Sequence, residues 1–310
     1  MTLRLAVGVV LGLLLHPVLA QQPARHVERT LLLHDVATLA APELEGRATG
    51  SAGARQARAW IEARFRDIGL LPAHHGGWVH PFQFATGGRG GRRTLDGHNV
   101  VGRLAGVDRD AGTIVVTAHY DHVGVRDGRV HPGADDNASG VAALLAAARY
   151  FATHPPRHPM VFAALDAEEL DLAGAKALVA SDIVARGRTV LAVNLDMVSR
   201  SDANEIFAAG TYHTPWLRPI LEDVQTRASV TIRFGHDRPA ALAGGEEDWT
   251  RSSDHAPFHD AGLPFVYFGV EDHPDYHRPT DTAERIDPRF FGDVADMIVE
   301  ALRALDGRMM

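Results

Sequence analysis

The sequence predicts an α/β fold, a three-layer α/β/α sandwich around a mostly parallel, twisted mixed sheet. Three observations point there. Apolar runs of strand length at Thr113 to Ala118, Met160 to Leu165 and Val190 to Leu195 read as strands buried on both faces, the signature of a parallel sheet. Helical periodicity alternates with them, in Val141, Leu144, Leu145 and Ala148, and again in Phe291, Val294, Ile298 and Leu302. The alternation runs to the last helix, as it does when helices cover both faces of a sheet.

Taken in order, Met1 to Ala20 has an early Arg4, an apolar core from Leu5 to Leu15 and Val18-Leu19-Ala20 before Gln21. Small residues at the last and third-last positions of a short apolar run form a signal-peptidase site, and the run is short for a membrane span. The expectation is a leader at 1–20 and one domain at 21–310, secreted or periplasmic and monomeric. No later stretch is apolar for long enough to cross a bilayer. With Cys 0 there is no disulfide, so the core must hold the fold. The net charge of -8, from Lys+Arg 31 against Asp+Glu 39, argues against a nucleic-acid partner.

Ala57, Trp60, Ile61, Phe65 and Ile68 recur at helical spacing, and Gly69 stands where a left-handed residue would end that helix. The preceding Leu39 to Gly53 is turn-rich, with Glu45 and Arg47 read as a solvated or weakly paired couple. Gly87 to Arg93 reads as a basic surface loop or hairpin tip, and Asn99 to Leu104 as a strand. Pro264 to Gly269 is a further strand, and Asp287-Pro288 caps and starts the final helix.

Chemistry collects at strand ends, where ligands of open α/β sheets sit. The strand ending at Ala118 delivers His119 and, two residues on, Asp121, a pairing that suits a metal-binding imidazole and a carboxylate that orients it. The run from Met160 ends in Glu168-Glu169, which taken alone is more often a solvated first helical turn. The run from Val190 closes on Asp196. Between them, Gly133-Ala-Asp135-Asp136-Asn137-Ala-Ser139-Gly140 leads into a helix that Asn137 or Ser139 can cap, but two aspartates between glycines suggest a tighter structure than an acidic helix start. Ser253-Asp254-His255 and Tyr276-His277 with Asp281 complete the set.

Together, His119, Asp135, Glu169, Asp196 and His277, with Glu168 beside them, resemble the zinc-dependent aminopeptidases with a co-catalytic metal pair, a family with glutamate carboxypeptidase and glutaminyl cyclase relatives. The likeness spans the Glu45-Gly46-Arg47 segment to the last helix. It implies Zn2+, two per chain: His119 and Asp196 on one ion, Glu169 and His277 on the other, and Asp135 bridging, with Asp135-Asp136 as a cis peptide. It further implies Asp121 orienting His119, Asp281 supporting His277, and a metal-bridging hydroxide generated with Glu168 as general base. The substrates would be peptides with a free N-terminus.

Two departures, Ala167 before Glu168-Glu169 and Gly174-Ala175 after it, touch neither ligand nor base. The link before His119 is too short for an inserted domain. His255 stands where several relatives have tyrosine: it is either a donor to the tetrahedral oxyanion or a packed loop residue near Phe258. A glutaminyl cyclase-like acyltransferase on the same fold is the alternative activity. A binding-only role would require lost ligands. Side-chain preference is not readable, because loops such as Ala203 to Pro215 and Phe234 to Thr250 shape the pocket.

Overall fold

The computed structural model describes residues 25–88, 91–185, 187–239 and 241–309, so the leader expected at 1–20 lies outside the described residues. The strands are β1 (Leu71–Pro72), β2 (Val79–Gly88), β3 (Gly91–Leu104), β4 (Thr113–His119), β5 (Gly124–Arg126), β6 (Arg129–His131), β7 (Met160–Leu165), β8 (Thr189–Leu195), β9 (Glu205–Ala209), β10 (Thr231–Arg233) and β11 (Phe265–Gly269). The helices are α1 (Arg29–Leu39), α2 (Ala52–Ile68), α3 (Gly140–Thr153), α4 (Ala173–Ala180), α5 (Leu217–Gln225), α6 (Ala256–Asp260) and α7 (Pro288–Arg308).

Nine strands form one sheet in the order β1-β3-β7-β4-β8-β11-β9-β10, with β2 paired to β3. β7, β4, β8 and β11 are mutually parallel at its centre, while β3 and β9 join them antiparallel. The central strands are apolar throughout because both faces are covered. Val116, Phe162 and Val193 pack toward Leu32, Ile61, Leu144, Leu221 and Phe291 of the helices on one face. Val115, Val161, Ala163 and Ala192, facing the other way, meet Ala175, Leu178 and Phe258 of α4 and α6. Those two apolar layers with the sheet between them make the three-layer sandwich.

Helix ends follow local chemistry. Ser51 Oγ accepts from the Ala54 amide at the start of α2, and Gly69 ends it at φ 87, a backbone angle that suits glycine. Asp287 accepts from the Arg289 and Phe290 amides at the start of α7, where Pro288 needs no donor partner. Inside α2, Ile61 and Phe65 are wholly buried, each contributing about 1.5–3 kcal/mol by apolar burial. The expected loop at Gly87 to Arg93 is the tip of the β2-β3 hairpin, with Gly87 opposite Arg92.

The Glu45-Gly46-Arg47 segment corrects an expectation. Glu45 is exposed, but Arg47 is fully buried and is not a solvated partner. Its Nε donates to the Tyr120 carbonyl (2.7 Å), Nη1 to those of Leu39 (2.5 Å) and Pro132 (2.6 Å), and Nη2 to that of Gly133 (2.9 Å). The guanidinium thus stitches the start of the chain to the loops that carry the polar centre.

Candidate metal centre

β4, β7 and β8 end on one rim of the sheet, and the polar residues that follow them face one another. His119 Nε2 lies 3.2 Å from Asp196 Oδ1 and 3.3 Å from Asp136 Oδ1. Asp136 Oδ2 lies 3.0 Å from His277 Nε2, which is 3.3 Å from Glu169 Oε1. His122 Nδ1 completes this side, 2.8 Å from Glu169 Oε1 and 3.5 Å from Asp136 Oδ2. Two donor groups result, His119, Glu168 and Asp196 in one, and His122, Asp136, Glu169 and His277 in the other, each with ligand atoms within 4.8 Å. Asp136 offers one oxygen to each side.

That arrangement corrects the sequence reading by one residue. Asp135 does not bridge: its Oδ1 accepts from the Ser199 amide (2.8 Å) and hydroxyl (2.6 Å), and its Oδ2 faces His273 Nε2 at 3.1 Å. The turn at Ala134–Ser139 is non-helical at Asp136 and Asn137, and this backbone sends the second aspartate into the centre. The cis bond likewise joins Asp136 to Asn137, not Asp135 to Asp136. The flanking glycines are required there. A Cβ at Gly133 would lie 2.2 Å from the Asp136 carbonyl, and one at Gly140 would lie 2.3 Å from Asn137 Oδ1. Asn137 rather than Ser139 caps α3, accepting from the Gly140 amide at 2.9 Å.

Supporting contacts also differ from expectation. His119 Nδ1 meets the main-chain oxygen of Asp121 at 3.1 Å, whereas the Asp121 carboxylate is 3.8 Å away and accepts instead from the Glu168 amide (3.0 Å). Asp281 does not hold His277; it accepts from the amides of Asp135 and Asp136, each at 3.1 Å. Ser253 Oγ donates to Asp196 Oδ2 at 2.7 Å and accepts from Asn194 Nδ2 at 2.8 Å, fixing that carboxylate. His255 is turned away. Its ring stacks between Phe265 and Tyr267, its Nε2 donates to the Trp249 carbonyl at 2.7 Å, and burial pulls it down to about 4. A tyrosine-like donor role fails because the ring is spent on the core behind the cleft.

The electrostatics are those of a site short of positive charge. Burial pushes Glu168 well above the usual carboxylate range; Asp196, Asp254 and Asp121 add to the rise and His119 opposes it. Asp254 is pushed up to about 7 by burial, with neither oxygen hydrogen-bonded. His122 Nδ1, Asp136 Oδ2 and Glu169 Oε1 crowd within 2.8 to 3.5 Å of one another or of His277 Nε2 but are not aligned for hydrogen bonds, and His122 Nε2 is likewise buried without a hydrogen-bond partner. Orphaned buried polar atoms cost about 1–3 kcal/mol each, more when charged, and their convergence on one spot is relieved by a cation. Imidazoles mixed with carboxylates fit zinc and its borderline neighbours. Sequence reasoning missed His122 in the donor set, although it stands in the quoted His119-Tyr-Asp-His122 run. It also missed Tyr267 and Tyr276, which with Met197, Trp249 and Val270 wall a cleft of about 320 Å³ over the centre.

A family model, peptidase family M28, matches residues 99–302. The chain is 33% identical over 203 residues to aminopeptidase YwaD of Bacillus subtilis strain 168, covering 61% of this chain and 40% of that protein. It spans less than half the length of the first curated relatives it matches, 40% and 44%. The aminopeptidase from Aneurinibacillus sp. strain AM-1 superposes with a TM-score of 0.71 at 19% identity, covering 89% of this chain and 93% of that one. Porphyromonas gingivalis glutaminyl cyclase superposes with a TM-score of 0.68 at 17% identity, over 90% and 99%. At such identities the structural likeness speaks for the fold.

Proposed function

The chain belongs to peptidase family M28, and from that premise we propose that it is a zinc-dependent aminopeptidase acting on peptides with a free N-terminus. The observation that carries the reading is Asp136, whose two oxygens face two separate donor groups. Two ions per chain are proposed, one with His119 and Asp196, the other with Glu169, His277 and the additional His122, and Asp136 shared. When bound, zinc supplies Lewis acidity toward a peptide carbonyl and lowers the pKa of water to about 7.

The chain's own groups do the rest. Glu168 sits in the donor group of His119 and Asp196, its amide held by Asp121, where its carboxylate can take a proton from water and return it to the leaving amine. Met197, Trp249, Val270, Tyr267 and Tyr276 exclude water around a terminal side chain, and Glu247 and Asp272 put negative charge in the same cleft, where an N-terminal ammonium is favoured. The proposal includes export after removal of residues 1–20, to the periplasm or the medium, and one catalytic domain at 21–310.

Hydrolysis of aminoacyl-coumarins by purified protein tests it. Turnover lost to a chelator, restored by zinc and absent on N-acetylated substrates is the expected result. Ammonia released from an N-terminal Gln peptide, with no amino acid liberated from any substrate, would instead identify a cyclase on the same fold.

A further inference from the structure

A second set of metal-type donors lies outside the cleft and shares no residue with it. His74, His75 and Asp182 bring ligand atoms within 4.8 Å of one another. We propose that His74, His75 and Asp182 form a third divalent-metal site, one that takes a borderline cation such as zinc and ties the turn between β1 and β2 to the end of α4.

The two histidines occupy the tight turn between β1 and β2. His74 and Gly77 exchange backbone hydrogen bonds (3.2 and 2.6 Å), which leaves His75 and Gly76 as the two central residues of the turn. Both are left-handed, at φ 41 and φ 80. Such turns favour Asn-Gly, and a histidine in the first place carries backbone strain that asparagine or glycine would largely avoid. The strained residue holds its imidazole beside that of His74, with ring centroids 4.3 Å apart. His74 Nδ1 is itself buried and has no hydrogen-bond partner. The wall behind is His80, edge-on to His74 at 5.0 Å, with its Nδ1 engaged by the Asn99 amide at 3.2 Å. Asp182 arrives from the turn just after α4, more than one hundred residues along the chain, and supplies the charge that two neutral imidazoles lack.

Two imidazoles and one carboxylate are three protein ligands, which leaves positions for water, the make-up of an open zinc site. His75 and Asp182 are exposed, so ion exchange is direct and binding is weaker than in the buried centre. The ion would act on this turn and on α4, not on substrate.

The test compares metal stoichiometry in untagged protein dialysed against excess zinc, by elemental analysis. His75→Asn keeps a residue that tolerates the left-handed turn, and Asp182→Asn keeps size and exposure. Each variant is expected to hold one equivalent fewer than the wild type, whatever the number held by the buried centre, and to lose the part of the zinc-induced rise in Tm that the third ion gives. Equal stoichiometry in wild type and both variants, with folding confirmed by circular dichroism, overturns the site. Because the readout is a difference in bound metal, its failure is separate from failure of the peptidase reading.

Discussion

Asp135 and Asp136 are neighbours with the same side chain, and the structure gives them different work. Replacing Asp136 with Asn removes the one carboxylate shared by both donor groups, so the variant is expected to lose at least one of the tightly held ions by elemental analysis. Asp135→Asn is expected to keep the metal content and lose about 1–3 kcal/mol of stability, because the Ser199 donors lose a charged acceptor. Full metal content in Asp136→Asn would return the bridge to its neighbour. The sequence showed that an Asp-Asp pair between glycines was chemically loaded; it could not show which aspartate points inward, since that depends on two backbone angles inside the turn. His255 makes the complementary lesson. Motif position suggested a donor, but tertiary packing decides where a ring goes. Its folded-state value of about 4 lies below the ordinary 6.5, so between those values the unfolded chain binds the extra proton. Its contribution, up to about 3 kcal/mol, is therefore present above pH 6.5 and lost as pH falls toward 4. His255→Phe should flatten that part of the acid limb in urea melts at successive pH values; an unaltered slope would mean the ring is not held neutral.

At the scale of elements, the strands and helices that position the site were legible because each repeats its signal over many residues. β4, β7 and β8 are apolar over their length, and α2, α3 and α7 show helical spacing plus a cap. Short irregular segments carry no such redundancy. Within the turn-rich Leu39 to Gly53, Glu45 and Arg47 fit a weak surface pair or a solvated couple equally well. Left-handed angles at Glu45, Gly46 and Arg47 instead fold the arginine inward. Its burial brings the guanidinium down to about 10, yet Asp136, Asp121 and Asp281 still favour its charge. Its N–H donors reach carbonyls of four residues at once, Gly133 among them, and lysine has neither the planar fork nor the reach to copy it. Arg47→Met is expected to cost about 3–5 kcal/mol, the cost of breaking a buried charged network. Urea midpoints at unchanged m-value would measure it, and Arg47→Lys should recover only a minor part. A loss below about 1 kcal/mol would show that the segment is held by its apolar neighbours, Leu44 above all.

For the whole molecule, the sheet concentrates negative charge at one rim and supplies little that is positive. Glu168, Asp121 and Asp254 are all driven upward in proton affinity, first by burial and then by neighbouring carboxylates, Asp196 for Glu168 and Asp254 and Asp166 for Asp121. The fold class was legible because burying a parallel sheet on both faces constrains sequence everywhere. The cleft's selectivity was not, because Trp249, Val270 and Tyr276 come from loops whose path depends on packing. Stability of this chain should therefore be coupled to metal. An ion that binds the folded centre and not the unfolded chain adds about 2.7 kcal/mol at a free concentration one hundred times its Kd. Dialysis against a chelator is expected to lower Tm by several degrees, and zinc to restore it in proportion to the logarithm of its concentration. Glu168→Gln, which leaves the proposed ligands in place, should keep that metal-dependent rise while losing activity by about 10²- to 10⁴-fold. Glu169→Gln should blunt the rise, because it weakens one side of the shared site. A Tm indifferent to both chelator and zinc would show that the buried carboxylates are compensated by protons alone, and the co-catalytic reading of the centre would fall with it.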